Sequence, residues 1–307
     1  MSTFRTSVRG QETAAALLGR AVAAGRLGHA YLLHGPAGVG KAALARDFAR
    51  ALACADGTGC GDCGPCRRFD SGNYADYRAL DSTEAVLKIE EVRELILYLS
   101  RKPVEGRRRT VLVPRAERLT VEAQNALLKT LEAPPAAAVL LLTTDSTEAL
   151  LETIVSRCQL IGCRALPREL IAELLIAEGV EDERARLLAG RADGSLARAR
   201  SLAADDELLG LVDGLWASVR RGELVKLTAA CAELPDRARS RELFDELARR
   251  AAEDHAAARA EGSACAAWFA AAGRELERTA RLIAANVNTR LAAETALSAL
   301  ALSAPRG

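Results

Sequence analysis

The chain has 307 residues, 50% hydrophobic and 27% charged, with 42 Lys and Arg against 41 Asp and Glu for a formal net charge of +1. That length allows two or three domains with a substantial core, and the near-zero charge excludes tight binding of nucleic acid or membrane by bulk electrostatics. No apolar run approaches a membrane span and Met1-Ser-Thr-Phe-Arg5 has no apolar signal region, so the expected compartment is the reducing cytoplasm despite eight cysteines.

In chain order, residues 11–27 read as a helix with apolar Leu17, Leu18, Val22 and Leu27. Residues 30–34 are a short apolar run ending in a glycine-rich turn, which suits a buried strand, and residues 41–54 run helically without Pro or Gly. Residues 77–80 are a weaker strand. Ile89, Val92, Leu95, Ile96 and Leu99 fall at helical spacing, and Pro103 closes that helix. Residues 110–113 form a strand, and the following helix runs through 125–132 to stop at Pro134-Pro135. Residues 139–144 are a third clear strand, 146–156 a short helix, and 159–163 a fourth candidate strand. Short apolar strands alternating with helices predict a parallel sheet covered on both faces. Beyond Pro167 the strand signal vanishes. Residues 168–205 hold two or three short helices, and 206–307 longer ones with Trp216 and Trp268 among the apolar positions.

Gly35-Pro-Ala-Gly-Val-Gly-Lys41 has the spacing in which successive backbone N–H groups wrap a phosphate chain. The next helix adds partial positive charge, and the lysine reaches the terminal phosphates. Gly35, Gly38, Gly40 and Lys41 are the candidate binding residues. In the full pattern a Ser or Thr follows, whose hydroxyl holds Mg²⁺; here Ala42 offers no oxygen. The strand at 110–113, where an acidic second ligand should stand, runs instead into Pro114-Arg115. Two failed ligand positions predict no efficient hydrolysis. Weak nucleotide binding and a relic turn both stay open.

Cys54, Cys60, Cys63 and Cys66 supply four thiols whose two-residue gaps suit one tetrahedral zinc ion, and Gly57, Gly59, Gly61 and Gly64 let the chain wrap around it. The rival is an iron–sulfur cluster, against which the fourth thiol lies upstream and no Cys-Pro follows. With four protein ligands the site is closed and structural. Cys158, Cys163, Cys231 and Cys265 read as small apolar residues. Arg107-Arg108-Arg109 reads as a solvated turn before a strand rather than a phosphate contact. Ser156-Arg157-Cys158, taken alone, is a surface arginine.

Together with the sequence from His29 to Lys41, the four-cysteine insertion and Asn125-Ala-Leu-Leu-Lys-Thr-Leu-Glu-Ala-Pro-Pro135, that arginine makes residues 5–205 resemble the clamp-loader subunits of bacterial DNA polymerase III, within the AAA+ group. The last hundred residues match only by length and helical character. The missing metal ligands and the shorter length make the resemblance one to the delta-prime type rather than gamma/tau.

The resemblance implies an AAA+ P-loop α/β domain at 1–166 with a zinc module at 54–66, a small helical lid domain at 167–206, and an all-α helical collar at 207–307. It implies that Arg157 reaches the ATP of a neighbouring gamma/tau subunit and that Thr144 stands at the first sensor position. Ala197 falls where the second sensor arginine would be, with Arg198 one place on. The implied partners are gamma/tau and delta subunits in a hetero-oligomeric ring, with the sliding clamp and primed DNA reached through the complex. The implied cofactors are structural zinc, with ATP or ADP weak or absent at its own loop. Two other readings are an independently active P-loop ATPase, such as a divergent gamma subunit, and a zinc-ribbon DNA contact or redox switch.

Overall fold

The computed structural model describes residues 4–80 and 86–305; Met1–Thr3, part of the stretch read above for a signal region, lie outside the described residues. The chain divides into two compact units, residues 1–198 and 199–307.

The first unit alternates helices and strands: α1 (Glu12–Ala23), β1 (Ala30–His34), α2 (Lys41–Ala53), α3 (Gly64–Asp70), β2 (Tyr77–Ala79), α4 (Ile89–Ser100), β3 (Arg109–Val113), α5 (Val121–Glu132), β4 (Ala138–Thr144), α6 (Glu152–Val155), β5 (Gln159–Gly162), α7 (Arg168–Ala177) and α8 (Asp182–Arg191). A further helix, α9 (Leu196–Ala204), runs across the boundary. The five strands lie in the order β2-β3-β4-β1-β5, every pairing parallel. Side chains two apart share a face of a strand. Tyr31, Leu33, Leu112, Val139, Leu141 and Ile161 therefore enter one core with Phe48 of α2 and Leu18 of α1. Leu32, Val111, Val113, Leu140 and Leu142 enter the other, with Val92, Leu95 and Leu99 of α4 and Leu127 and Leu131 of α5. This is the doubly covered parallel sheet that the apolar runs predict.

Local structure departs from expectation in four places. Arg109, read with Arg107 and Arg108 as a solvated turn, instead opens β3 with its side chain buried beside Asp76. The first helix ends at Ala23, because Gly25 takes the left-handed region (φ 63°) and turns the chain. The cysteine loop closes with α3, which has Pro65 in its first turn. The expected helix at 146–156 is broken into a 3-10 turn (Thr147–Ala149) and the four-residue α6, with Leu150 extended and buried between them. Gln124 of α5 stabilises the break by accepting from the Leu151 N–H at 2.9 Å.

The second unit is all helical: α10 (Asp206–Arg221), α11 (Leu224–Ala232), α12 (Arg237–Ala260), α13 (Ala266–Ala284) and α14 (Thr289–Ser303). Asp205, Asp236 and Asn288 cap α10, α12 and α14 by accepting backbone N–H groups. Trp216 is buried and donates to Asp254 at 2.9 Å, while its ring stacks on Trp268 with 5.8 Å between centroids. Among the described residues no helix is long and apolar enough to cross a membrane.

Candidate functional site

Chemistry-bearing residues collect at the two ends of the sheet. At the carboxyl end, the phosphate loop leaves β1, which lies between β4 and β5. Gly35, Gly38 and Gly40 all have positive φ (138°, 71° and 98°). Packing presses on all three positions. A Cβ on Gly35 would stand 2.0 Å from the Cys163 carbonyl oxygen, one on Gly38 2.0 Å from Ser195 Oγ, and one on Gly40 2.9 Å from a Val8 methyl. Gln11 clips the loop from behind, donating to the Val39 and Arg164 carbonyls and accepting from the Arg164 N–H.

Lys41 opens α2 with its side chain only 6% exposed. Its ammonium donates to the carbonyls of Gly35 (2.7 Å) and Pro36 (2.5 Å) and to Asp145 Oδ1 (2.7 Å). All three lysine protons thus have partners inside the chain. Ala42 brings no hydroxyl, and Arg115, at the end of β3, sits in the left-handed region (φ 52°) with its N–H donating to Thr143 Oγ1. Thr144 is fully buried beside the loop, but its hydroxyl donates to the Ser146 carbonyl at 2.7 Å. Ala197 presses on the loop, its N–H donating to the Gly38 carbonyl at 3.2 Å. The neighbouring Arg198 turns its Nε to the Arg191 carbonyl. The structure thus gathers Gly35, Gly38, Gly40, Lys41, Thr144 and Ala197 at one place. It adds Asp145, the residue that follows β4.

The amino end is assembled differently. α2 carries the chain back along the sheet for thirteen residues, about 20 Å, and Cys54 caps it. The sulfur atoms of Cys54, Cys60, Cys63 and Cys66 all lie within 4.8 Å of one another. Cys54 is 3.7 Å from Cys60 and 3.8 Å from Cys63. Four thiolates about 2.3 Å from one tetrahedral ion stand about 3.8 Å apart, whereas a disulfide would need about 2.05 Å. The Cys60 and Cys63 N–H groups point at the sulfurs of Cys54 and Cys60. Burial disfavours the Cys63 thiolate, but hydrogen bonds from the Ala55 and Cys66 backbone and from the Cys66 and Cys60 thiols outweigh it and bring the thiol down to about 6. The residues fit one structural ion of the zinc type. Phe69 of α3 packs on Tyr77, the first residue of β2, with ring centroids 4.5 Å apart.

Arg157 also belongs to this end. It precedes β5, whose first residue, Gln159, pairs with Tyr31, while the phosphate loop begins only after His34, opposite Gly162. The two lie at opposite ends of parallel strands, about 10 Å of strand apart. Arg157 donates Nη1 to the Thr153 carbonyl (3.0 Å) and Nη2 to Glu132 Oε1 (3.0 Å). Sequence reasoning missed Glu132, because only the folded chain brings the end of α5 to the end of α6. The adjacent Cys158 is pushed up to about 12 by burial, which suits an inert apolar thiol.

A parallel sheet in this strand order, with a phosphate loop after β1 and small helices to follow, defines a P-loop protein of the AAA+ type. The family model described as DNA polymerase III, delta subunit, matches residues 10–167. The chain belongs to that family of clamp-loader subunits. It is 38% identical over 204 residues to the DNA polymerase III subunit tau/gamma of Haemophilus influenzae, covering 64% of this chain and 30% of that one. It is 37% identical over 196 residues to the subunit delta' of Pseudomonas aeruginosa, covering 53% of this chain and 60% of that one. It thus spans less than two thirds of either relative. A DNA polymerase III gamma subunit-related protein from Thermotoga maritima shares the fold, with TM-score 0.51, 20% identity, and coverage of 91% of this chain and 95% of that one.

Proposed function

We propose that the chain is a delta-prime-type clamp-loader subunit that does not hydrolyse ATP itself. It sits in a hetero-oligomeric ring with gamma/tau and delta subunits and lends Arg157 to a neighbouring gamma/tau ATP site while the sliding clamp is loaded onto primed DNA. The observation that carries this reading is the placement of Arg157 at the amino end of β5, away from the chain's own Lys41. A guanidinium there can serve a nucleotide only in trans. In other NTPases such a residue is worth roughly 10³–10⁵ in rate.

Identity to the two relatives does not choose between siblings; three residues favour the delta-prime type. Ala42 and Pro114-Arg115 remove the oxygens that would hold magnesium, and Lys41 is committed to Asp145. ATP or ADP therefore binds this loop weakly or not at all, and Thr144 has no γ-phosphate to sense. Residues 167–206 act as a lid domain that brings Ser195 and Ala197 against the loop, and 1–166 form the AAA+ domain proper. The four cysteines hold structural zinc. Residues 207–307 form the collar, and Val225, Leu291 and Leu302, 61–85% exposed, are apolar positions for neighbouring subunits to cover.

The test is ATP turnover by the cognate gamma/tau and delta subunits with clamp and primed DNA, on adding this chain or Arg157→Ala, with assembly followed in parallel. The expected result is stimulation by the wild type, none by an assembled variant, and no turnover by the chain alone. Equal stimulation by the variant, with turnover by the chain alone, would make it an independent P-loop ATPase.

A further inference from the structure

The C-terminal end of α5 breaks a local rule. Helix carbonyls converge there and favour cations, and Lys129 stands in the last turn, yet the last helical residue is Glu132, followed by Ala133 and two prolines. An acid placed against a helix's negative end needs a compensating partner, and Glu132 has one in Arg157, with Nη2 to Oε1 at 3.0 Å. Arg157 reaches it from the end of α6, where Nη1 is held by the Thr153 carbonyl and Ser156 Oγ. α6 is in turn fixed by the fully buried Ile154 and by the bond from Leu151 N–H to Gln124 on α5. The helix that steadies the base of the arginine therefore also supplies the anion that holds its tip.

We propose that Glu132 is a positioning residue for Arg157, a built-in anion that occupies the guanidinium until a neighbour's nucleotide phosphate displaces it. The inference rests on Arg157 acting in trans. Both partners remain substantially exposed, Arg157 at 36% and Glu132 at 54%. Such a pair is weak and screened by salt, so a phosphate group, with more charge and more acceptor oxygens, can replace it. Arginine has five donors in a fixed fork, and the Thr153 carbonyl can keep its hold on Nη1 while Nη2 changes partner. Holding the side chain near its working position also lowers the entropy lost when it engages. What the nucleotide must overcome is the carboxylate.

The consequence is a split between affinity and rate. Glu132→Gln removes the competing charge but keeps the shape. In the complete assembly it should lower the KM for ATP about two- to fivefold, leave kcat unchanged, and converge with wild type as salt is raised. In an Arg157→Ala background the substitution should do nothing. A role in folding would instead lower kcat and assembly together. The isolated full chain supplies a second readout. The ¹⁵N guanidinium resonance of Arg157, identified by its loss in Arg157→Lys, should move on Glu132→Gln.

A lowered KM that requires Arg157, with the resonance shift, supports the proposal. An unchanged KM while Arg157→Ala still abolishes stimulation overturns the role of Glu132 and leaves the trans arginine standing. If Arg157→Ala stimulates like wild type, the trans reading fails and this inference falls with it.

Discussion

At the carboxyl end of the sheet a phosphate loop keeps its backbone form with its lysine bonded inside the chain, whereas at the amino end residues without a nucleotide motif are set in place by their neighbours. The loop keeps three glycines with positive φ, and packing alone leaves no room for a side chain at any of them, against the Cys163 carbonyl, Ser195 and Val8. Its lysine is satisfied by two carbonyls and Asp145. At the other end, Arg157 is steered by Thr153 and Glu132, and four thiols close to within 4.8 Å. A phosphate loop is chiefly a backbone device, so its glycines can outlast the side chains that make it an enzyme. An arginine serving another subunit needs only to be held and left reachable.

The contrast is broken most severely by removing a metal from the four thiols proposed to hold it. Zinc binding contributes about 10–16 kcal/mol in isolated fingers, so chelation should unfold residues 54–66 and leave the loop at 35–41 protected. Hydrogen exchange with and without chelator, together with the zinc content of the purified chain, checks this. A chain free of zinc and equally protected at both places would remove the metal from the account of the amino end.

Next in size is Arg157→Lys, which keeps the charge and loses the planar fork. Lysine cannot reproduce two parallel donations to a phosphoryl group, so the neighbouring site should slow about 10³-fold, almost as if alanine had been placed there. Single-turnover hydrolysis in the assembled ring reads that site directly. Near-normal turnover would mean that charge alone suffices and that the bracketing by Thr153 and Glu132 is incidental.

A smaller effect is expected at Asp76, which anchors the turn leading into β3. Its carboxylate is fully buried and accepts the N–H groups of Val104, Glu105 and Gly106 within 3.0 Å, with Arg109 at 3.4 Å. Burial works against its charge, but those N–H groups and Arg109 outweigh it and hold the carboxyl below its usual range. Asp76→Asn leaves buried Arg109 without its carboxylate, held among the described residues only by the Tyr98 carbonyl and ring, and should cost about 3 kcal/mol at neutral pH. A depressed carboxylate stabilises fully above the unfolded value, about 3.9, and that stabilisation is lost as pH falls through the lower folded value. Urea denaturation of wild type and variant should therefore converge at acid pH. A constant difference would place the effect in packing.

The same contrast decides what was legible beforehand. Strands β1, β3 and β4 are short apolar runs buried on both faces, and apolar content alone marks such segments. The lack of a hydroxyl after Lys41 and of an acid directly after β3 could be read as well, since Ala42 and Arg115 stand at fixed distances from the loop. Neither α3 nor the break at Leu150 was legible. The first is short and runs straight out of a cysteine loop, and the second depends on Gln124, which is distant in sequence. Asp145 and Glu132 escaped for the same reason. Each matters only as the partner of a cation brought near by the fold.

The smallest predicted effect tests whether the loop is merely occupied or truly dead. Lys41 has one charged partner, and Asp145 is 41% exposed, so the pair is worth about 1 kcal/mol. Asp145→Asn removes the competing charge and frees the ammonium for phosphate, and about 1 kcal/mol corresponds to about fivefold in affinity. Calorimetry should therefore find ADP bound about fivefold more tightly than by wild type, still without turnover, because Ala42 and Arg115 supply no oxygen for magnesium. If affinity does not move, the block lies in the packing of the Ser195 side chain and the Ala197 N–H against the loop, and the loop is closed by shape rather than by charge. If turnover appears, the magnesium ligands are dispensable in this chain, and the contrast between a spent end and a working end no longer holds.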